Sequence, residues 1–268
     1  MTSRSKSTPP APVALPPVRF SRLKRLDPWE GSPAHYRYGF TDETDPMRKG
    51  SALHSYMLGG KDGVVVFDGV RNKRSKKWIE FQEENEGKHI LTRTQFSEVE
   101  GMRKSLEAHP RAMELLDDGV QETTIHWDIG GRACAGTPDV VKPKSNRKKR
   151  LVELKSCMSS NPRRFKWHAI KQGWFAQVDW YANGLERSLA YAHGPVDEVF
   201  IVAVESKAPW PVTVFQVKPS MLKRGREQWR EWMQILEVCE RTNTWPAYAD
   251  GDVEIEDDDD SGLDWEAA

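Results

Sequence analysis

The sequence predicts an α/β fold built on a mixed β-sheet flanked by helices, and three observations carry that expectation. Its periodic segments run in the order helices, a three-strand meander, a helix, two strands and a final helix. Several apolar runs, such as 64–67 and 198–205, are short and rich in Val or Ile, as strands are. No apolar run approaches the roughly 20 residues that a membrane span needs, so these elements must pack on one another in water.

Each element follows from local pattern. Residues 47–58 read as a helix that turns Ala52, Leu53, Met57 and Leu58 inward. Residues 64–67 form a short strand and 77–86 a short helix. Within 94–108, Phe96, Val99, Met102 and Leu106 recur at three- and four-residue spacing, the signature of an amphipathic helix, and 110–117 adds a further helical turn or two. Gly119 opens an extended stretch over 120–128, Gly130-Gly131 turns it, and 132–142 returns as a second strand. A turn rich in Lys and Arg (143–149) leads into the apolar strand 150–156. Beyond Asn161-Pro162 a helix is expected over 169–187, followed by strands 198–205 and 212–218 and a long helix over 220–241.

With 38% hydrophobic and 30% charged residues, the 268-residue chain has the composition of a soluble globular protein. Cys134, Cys157 and Cys239 are odd in number and contain no CxxC pair, which points to a reducing compartment and away from disulfides or a thiolate zinc site. Residues 1–17, rich in Pro and Ser, are expected to be a disordered arm, 18–249 one domain, and 250–268 an acidic disordered tail. That tail holds ten acids and no Lys or Arg, so the preceding residues keep forty basic against thirty acidic groups. A body with that excess suits a polyanion, and charge alone does not separate nucleic acid from an acidic membrane face.

Chemistry concentrates in Gly136-Thr137-Pro138-Asp139-Val140-Val141, a turn, and Leu151-Val152-Glu153-Leu154-Lys155. Pairing the two strands as a hairpin brings Asp139 and Glu153 side by side, and Lys155, two residues on, emerges from the same face as Glu153. Two such carboxylates suit a hard divalent cation that prefers oxygen ligands and keeps several waters. Lys155 beside them can orient or deprotonate an attacking water. The plainer reading makes Asp139 a turn residue and Glu153–Lys155 an edge-strand ion pair. Against it, Glu153 interrupts an otherwise apolar strand, where unpaired charge is costly.

Pro138-Asp139 followed by Glu153-Leu154-Lys155 resembles the motif of the PD-(D/E)xK nuclease superfamily. Gly50-Ser51-Ala52-Leu53-His54 resembles the GxALH helix of the exonuclease VIII (RecE) C-terminal domain and of RecB-type nucleases. Gln177-Val178-Asp179-Trp180-Tyr181 resembles the QxxxY helix of that branch, and residues 19–38, with Ser32-Pro33-Ala34-His35, its opening helix and Ser-Pro element. The resemblance spans residues 19–241 and implies a restriction-endonuclease-like core. It implies that Asp139, Glu153 and the Leu154 carbonyl are metal ligands, Lys155 the water-activating group, and His54 a ligand or near-ligand of a second metal. Mg²⁺ is the implied cofactor, with Mn²⁺ a possible substitute. A His is an unusual Mg²⁺ ligand, so His54 has an alternative role hydrogen-bonding a bound water or the scissile phosphate, or simply packing in the core.

On the same resemblance the substrate is double-stranded DNA ends, digested 5′ to 3′ to leave 3′ single strands for recombination or repair. A homo-oligomeric ring, a single-strand annealing recombinase as partner, and the cytoplasm of a bacterium or phage-infected cell are implied with it. Competing readings are a structure-specific or single-strand nuclease and a catalytically inert DNA-binding accessory module. Glu122, at a strand start, is a second-tier acid. Gln177 and Tyr181, one helical turn apart, either contact DNA or pack on the sheet. Arg163, Arg164 and Lys166 are the preferred phosphate contacts, with Trp167 nearby to stack on a base. The basic turn around 142–150 is either a solvated hairpin tip or a second phosphate contact.

Overall fold

The computed structural model describes residues 15–39, 43–59, 63–69, 74–145, 148–188, 194–249 and 251–252. Most of the expected N-terminal arm and acidic tail therefore lies outside the described residues.

The chain enters through β1 (Val18–Arg19), a helical turn α1 (Phe20–Leu23) and a 3-10 turn at Lys24–Leu26. Helix α2 (Pro33–Tyr38) follows, so the opening helical segment is divided. Ser32 starts α2 by accepting from the His35 amide, and Pro33 occupies the first turn, where no amide donor is needed. Helix α3 (Asp45–His54) begins two residues before the expected boundary because Thr44 caps the Met47 amide. Past His54 the backbone widens into a π turn, Ser55–Gly59. Strand β2 (Val64–Phe67) pairs in parallel with β3 (His89–Thr92), a strand too short and too polar in its flanks to stand out in the sequence. Helix α4 (Lys76–Glu84) lies between them. Helix α5 (Arg93–Glu107) starts at a reciprocal capping box between Thr92 and Gln95, and α6 (Pro110–Leu116) follows.

Two expected strands are each broken in two. Residues 120–128 become β4 (Val120–Gln121) and β5 (Ile125–Ile129), separated where Glu122 takes a left-handed φ of 44°. Residues 132–142 become β6 (Arg132–Gly136) and β7 (Val140–Ser145), separated at Thr137-Pro138-Asp139, where Pro138 has no amide to give to a ladder. The meander is consequently shared between two sheets. One has the order β1-β6-β5; the other has the order β10-β9-β8-β7-β4, with β8 (Lys148–Cys157), β9 (Glu198–Glu205) and β10 (Val212–Val217). β8 and β9 run parallel and the other pairs of this sheet antiparallel, which makes it the mixed sheet the sequence predicts.

The expected helix 169–187 is longer and interrupted. Helix α7 (Pro162–Lys171) ends at Gly173, whose φ of 67° redirects the chain into α8 (Trp174–Arg187). The last helix is α9 (Pro219–Thr242). Gly225 lets it approach α8: a Cβ there would lie 2.3 Å from the Phe175 carbonyl oxygen.

Alternation along β8 and β9 fills two cores. Val152, Leu154, Phe200, Val202 and Val204 face the cluster containing Leu53, Val99, Met102 and Leu106 from α3 and α5. Leu151, Cys157, Val199, Ile201 and Ala203 face the cluster containing Val178, Trp180, Trp229 and Trp232 from α8 and α9. Glu153 and Lys155 interrupt the second series, so both project towards α8. Among the described residues, no helix is long and apolar enough to cross a membrane.

Candidate active site

The register of β7 against β8 sets Val140 opposite Val152, so Asp139, one step before β7, lies beside Glu153. The Asp139 amide donates to Glu153 Oε1 at 3.0 Å, and the Leu154 amide donates to Asp139 Oδ2 at 2.8 Å. Lys155 Nζ donates to Glu153 Oε2 at 2.9 Å, and His54 Nδ1, at the end of α3, lies 3.3 Å from Asp139 Oδ1. The pairing matches the expected hairpin, but Asp139 stands in the break between β6 and β7 rather than within a continuous strand. That break turns its carboxylate across the ladder to meet both Leu154 and His54.

Glu153 is wholly buried and Asp139 8% exposed. Burial, then the Asp139 charge, pushes the Glu153 carboxyl up to about 7 against the pull of Lys155. Asp139 titrates below its ordinary value: burial opposes this, but the His54 and Lys155 charges outweigh it. Lys155 is held above its ordinary value, since the Glu153 and Asp139 charges overcome its burial. His54 is also raised, chiefly because Asp139 outweighs the cost of desolvating the imidazolium. The centre thus packs two carboxyl groups against the Lys155 ammonium and the His54 imidazole in a low-dielectric setting, where each group sets the charge of the others.

Among the described residues, no three His, Cys, Asp or Glu side chains gather as a metal-holding group. Each oxygen of Asp139 and Glu153 has one protein partner, leaving its other lone pair for a ligand.

The pair lies under an open cleft of about 1030 Å³. His54, Gly50 and Ser51 of α3, Leu154, Lys155 and Ser156 of β8, and Gln177 of α8 border it. The Leu154 side chain is in the core, so its main chain is what lies on the cleft side, as a ligating carbonyl requires.

Residues 20–257 match the family described as "PDDEXK-like domain of unknown function (DUF3799)". The chain belongs to this PDDEXK-like family. A crystal structure of a "Putative exonuclease" from Eubacterium rectale is similar to it, with a TM-score of 0.61, 13% identity and 90% of each chain covered. At that identity the likeness concerns the fold alone, and it agrees with the α/β architecture above. The crystal structure of SSO0001 matches at a TM-score of 0.30 and 14% identity over 67% of this chain and 84% of that one, too distantly to carry an argument. No curated protein matches the sequence.

Other expected residues of the PDDEXK-like domain fall in different places. Glu122 is exposed on the cleft wall and donates its amide to the Asp139 carbonyl at 3.0 Å. Its carboxylate would lie 3.4 Å from a Cβ at Gly59, across from the π turn that follows His54. Gln177 is half-buried and donates to the Tyr181 hydroxyl at 3.1 Å. Tyr181 is buried: a Cβ at Gly136 would lie 2.7 Å from its ring, so it packs on the sheet behind the carboxylates instead of reaching the cleft. Of the pair, Gln177 alone borders the cleft.

Arg163, Arg164 and Lys166 are exposed on α7, outside the cleft lining. Four cations of the basic turn have partners within the protein. Lys142 donates to the Glu114 carbonyl, Lys149 donates to the Leu185 and Gly194 carbonyls, and Lys148 and Arg150 both bind Glu198. Arg147 lies outside the described residues, and so does the Lys144 side chain.

Sequence reasoning passed over the cleft residues Lys24, Met158 and His168, and placed Trp174 only one turn before Gln177 on its helix. Their only signal is position: the last three follow the ExK strand within twenty residues, but no spacing marks them as converging. It also passed over Asp179 as a buried acid, although it lay in view inside the QxxxY segment. Arg226 holds it through two hydrogen bonds of 3.1 and 2.9 Å, and Trp229 Nε1 donates to it at 2.7 Å.

Proposed function

We propose that this chain is a Mg²⁺-dependent deoxyribonuclease that digests DNA from its ends. The observation that carries the reading is the meeting of Asp139, Glu153 and Lys155 beneath a cleft open enough for a nucleic-acid strand. Asp139, Glu153 and the Leu154 carbonyl would hold the cation. When bound, the cation would supply Lewis-acid stabilisation of charge on a phosphodiester oxygen. Lys155, kept protonated by its two acidic neighbours, donates a hydrogen bond that orients the attacking water or a phosphate oxygen. His54 is braced by Asp139 at the cleft wall and donates to a phosphate oxygen from there.

The resemblance to exonuclease VIII supports the finer reading: attack on duplex DNA from 5′ ends, by a ring-forming homo-oligomer, supplying 3′ single strands to an annealing recombinase in recombination or repair. The decisive assay compares linear duplex with covalently closed circles, in Mg²⁺ and in EDTA. Digestion of linear DNA alone, stopped by EDTA, is expected; cleavage that persists in EDTA, or of closed circles at the same rate, overturns the reading. Ends blocked by phosphorothioates at the 5′ or the 3′ side then report polarity.

A further inference from the structure

Helix α7 leaves the catalytic strand after a four-residue link. Its ten residues include Arg163, Arg164, Lys166 and Lys171 and no acid. All four cations are exposed, and among the described residues none forms an ion pair. Phe165 and Ala169 seat the opposite side in the core, so the face they leave outward is fixed. On it stands Trp167, 63% exposed, with Lys166 Nζ 5.6 Å from its ring centroid. An indole left in water gives up the hydrophobic stabilisation it would gain by burial.

One edge of the same helix is cleft wall. His168 and Gln172 border the cleft, as do Met158, which is 79% exposed, and Trp174, whose ring meets that of His168 edge-on at 5.0 Å. Arg164 is one turn from His168, and Arg163 one turn from Trp167. The cationic face is therefore continuous with the cleft.

We propose that this face of α7 binds an unpaired DNA strand where it enters or leaves the cleft. Trp167 stacks on a base, and Arg163, Arg164 and Lys171 hold the flanking phosphates. Cations without acidic partners match a phosphate chain, and a flat exposed aromatic among them is what sequence-tolerant single-strand binding uses. Duplex DNA satisfies the cations but not Trp167, because its bases are already stacked on one another. The assignment rests on the nuclease reading for the identity of the cleft, yet the binding it describes needs no metal.

The test is fluorescence polarisation in EDTA with a labelled oligothymidylate and a labelled blunt hairpin duplex, so that failure of the metal chemistry leaves the measurement intact. Trp167→Ala is expected to weaken oligothymidylate binding by about 5-fold or more and duplex binding by less than about 2-fold, the latter because a phosphate contact is unchanged. Trp167→Phe, which keeps a flat ring, should stay near wild type. Arg163→Ala combined with Arg164→Ala should weaken both ligands and flatten the salt dependence of each. Equal losses for both ligands on Trp167→Ala, or no loss for either, overturn the platform. Failure of the wild-type protein to bind oligothymidylate overturns it as well and leaves the face to a protein partner.

Discussion

Two of the carboxylate centres buried in this protein are built on opposite principles. Asp179, on α8, faces one guanidinium and one indole, and Arg226 and Trp229 bind both its oxygens. One negative charge meets one positive charge, and the centre locks α9 onto α8. Asp139 and Glu153 instead meet Lys155 and His54, two groups that themselves border a cleft. The contrast separates a carboxylate held by one fixed counter-ion from a coupled cluster beside a cleft. Removing the first should harm stability, and removing the second should harm function.

The largest expected effect is on turnover. Asp139→Asn and Glu153→Gln each keep the shape of the side chain but lose a ligand, and should lower DNA cleavage by about 10³-fold or more. The thermal midpoint of Glu153→Gln should hold or rise, because it relieves carboxylate crowding; a large drop would erase the distinction between the two centres. Next comes Arg226→Ala, which strands Asp179 without its counter-charge. Since Arg226 is 39% exposed, water replaces part of what is lost, and the cost should be about 2–3 kcal/mol in denaturant titration. Cleavage by the fraction that remains folded should be unchanged.

The pH behaviour sharpens the comparison further. Glu153, pushed up to about 7 from 4.5, favours the metal-free fold fully below pH 4.5, and that contribution is lost as pH rises through about 7. Metal binding runs the other way, because the ion takes the ionised carboxylate. Calorimetric affinity for Mg²⁺ should therefore fall as pH drops below 7, with proton release on binding, and Glu153→Gln should remove the dependence. Lys155→Ala takes away the charge that pulls the Glu153 pKa down, so the same transition should move to higher pH while DNA affinity hardly changes. A transition that stays in place would mean Lys155 does not act on Glu153. The smallest effect concerns the acidic tail: deleting residues 251–268 should tighten DNA binding at low salt by a margin that vanishes as salt rises, and equal affinities across the series would rule out competition by the tail.

The sequence disclosed the catalytic hairpin because strand alternation and a two-residue offset are local facts. Asp139 and Glu153 meet through a register that the hairpin alone sets, and the helices carrying His54 and Gln177 were legible from their apolar spacing. The rest depended on backbone events with little local signature. A left-handed residue at Glu122 and a proline at 138 cut two expected strands and sent their halves to different sheets. Gly173 did the same to a helix, and so created the separate α7 with its cationic face. Lys142, Lys149 and Arg150 looked like a phosphate contact because charge counts do not reveal which carbonyls and carboxylates a long side chain will find. Asp179 was read as part of a motif and not as an anchor, since Arg226, its partner, is 47 residues away.

The parallel pairing of β8 with β9 also governs the order in which the molecule assembles. The β7–β8 ladder closes a short loop and brings together residues 14 apart, whereas β8 and β9 meet only after α7 and α8 have been threaded between them, with Arg150 paired to Glu198. Short-range closure costs less chain entropy and comes sooner. The two acids are thus neighbours in a nascent hairpin before the neighbouring strand encloses them, while water still solvates their charges. Their desolvation is deferred to that longer-range step, when hydrophobic burial is available to drive it.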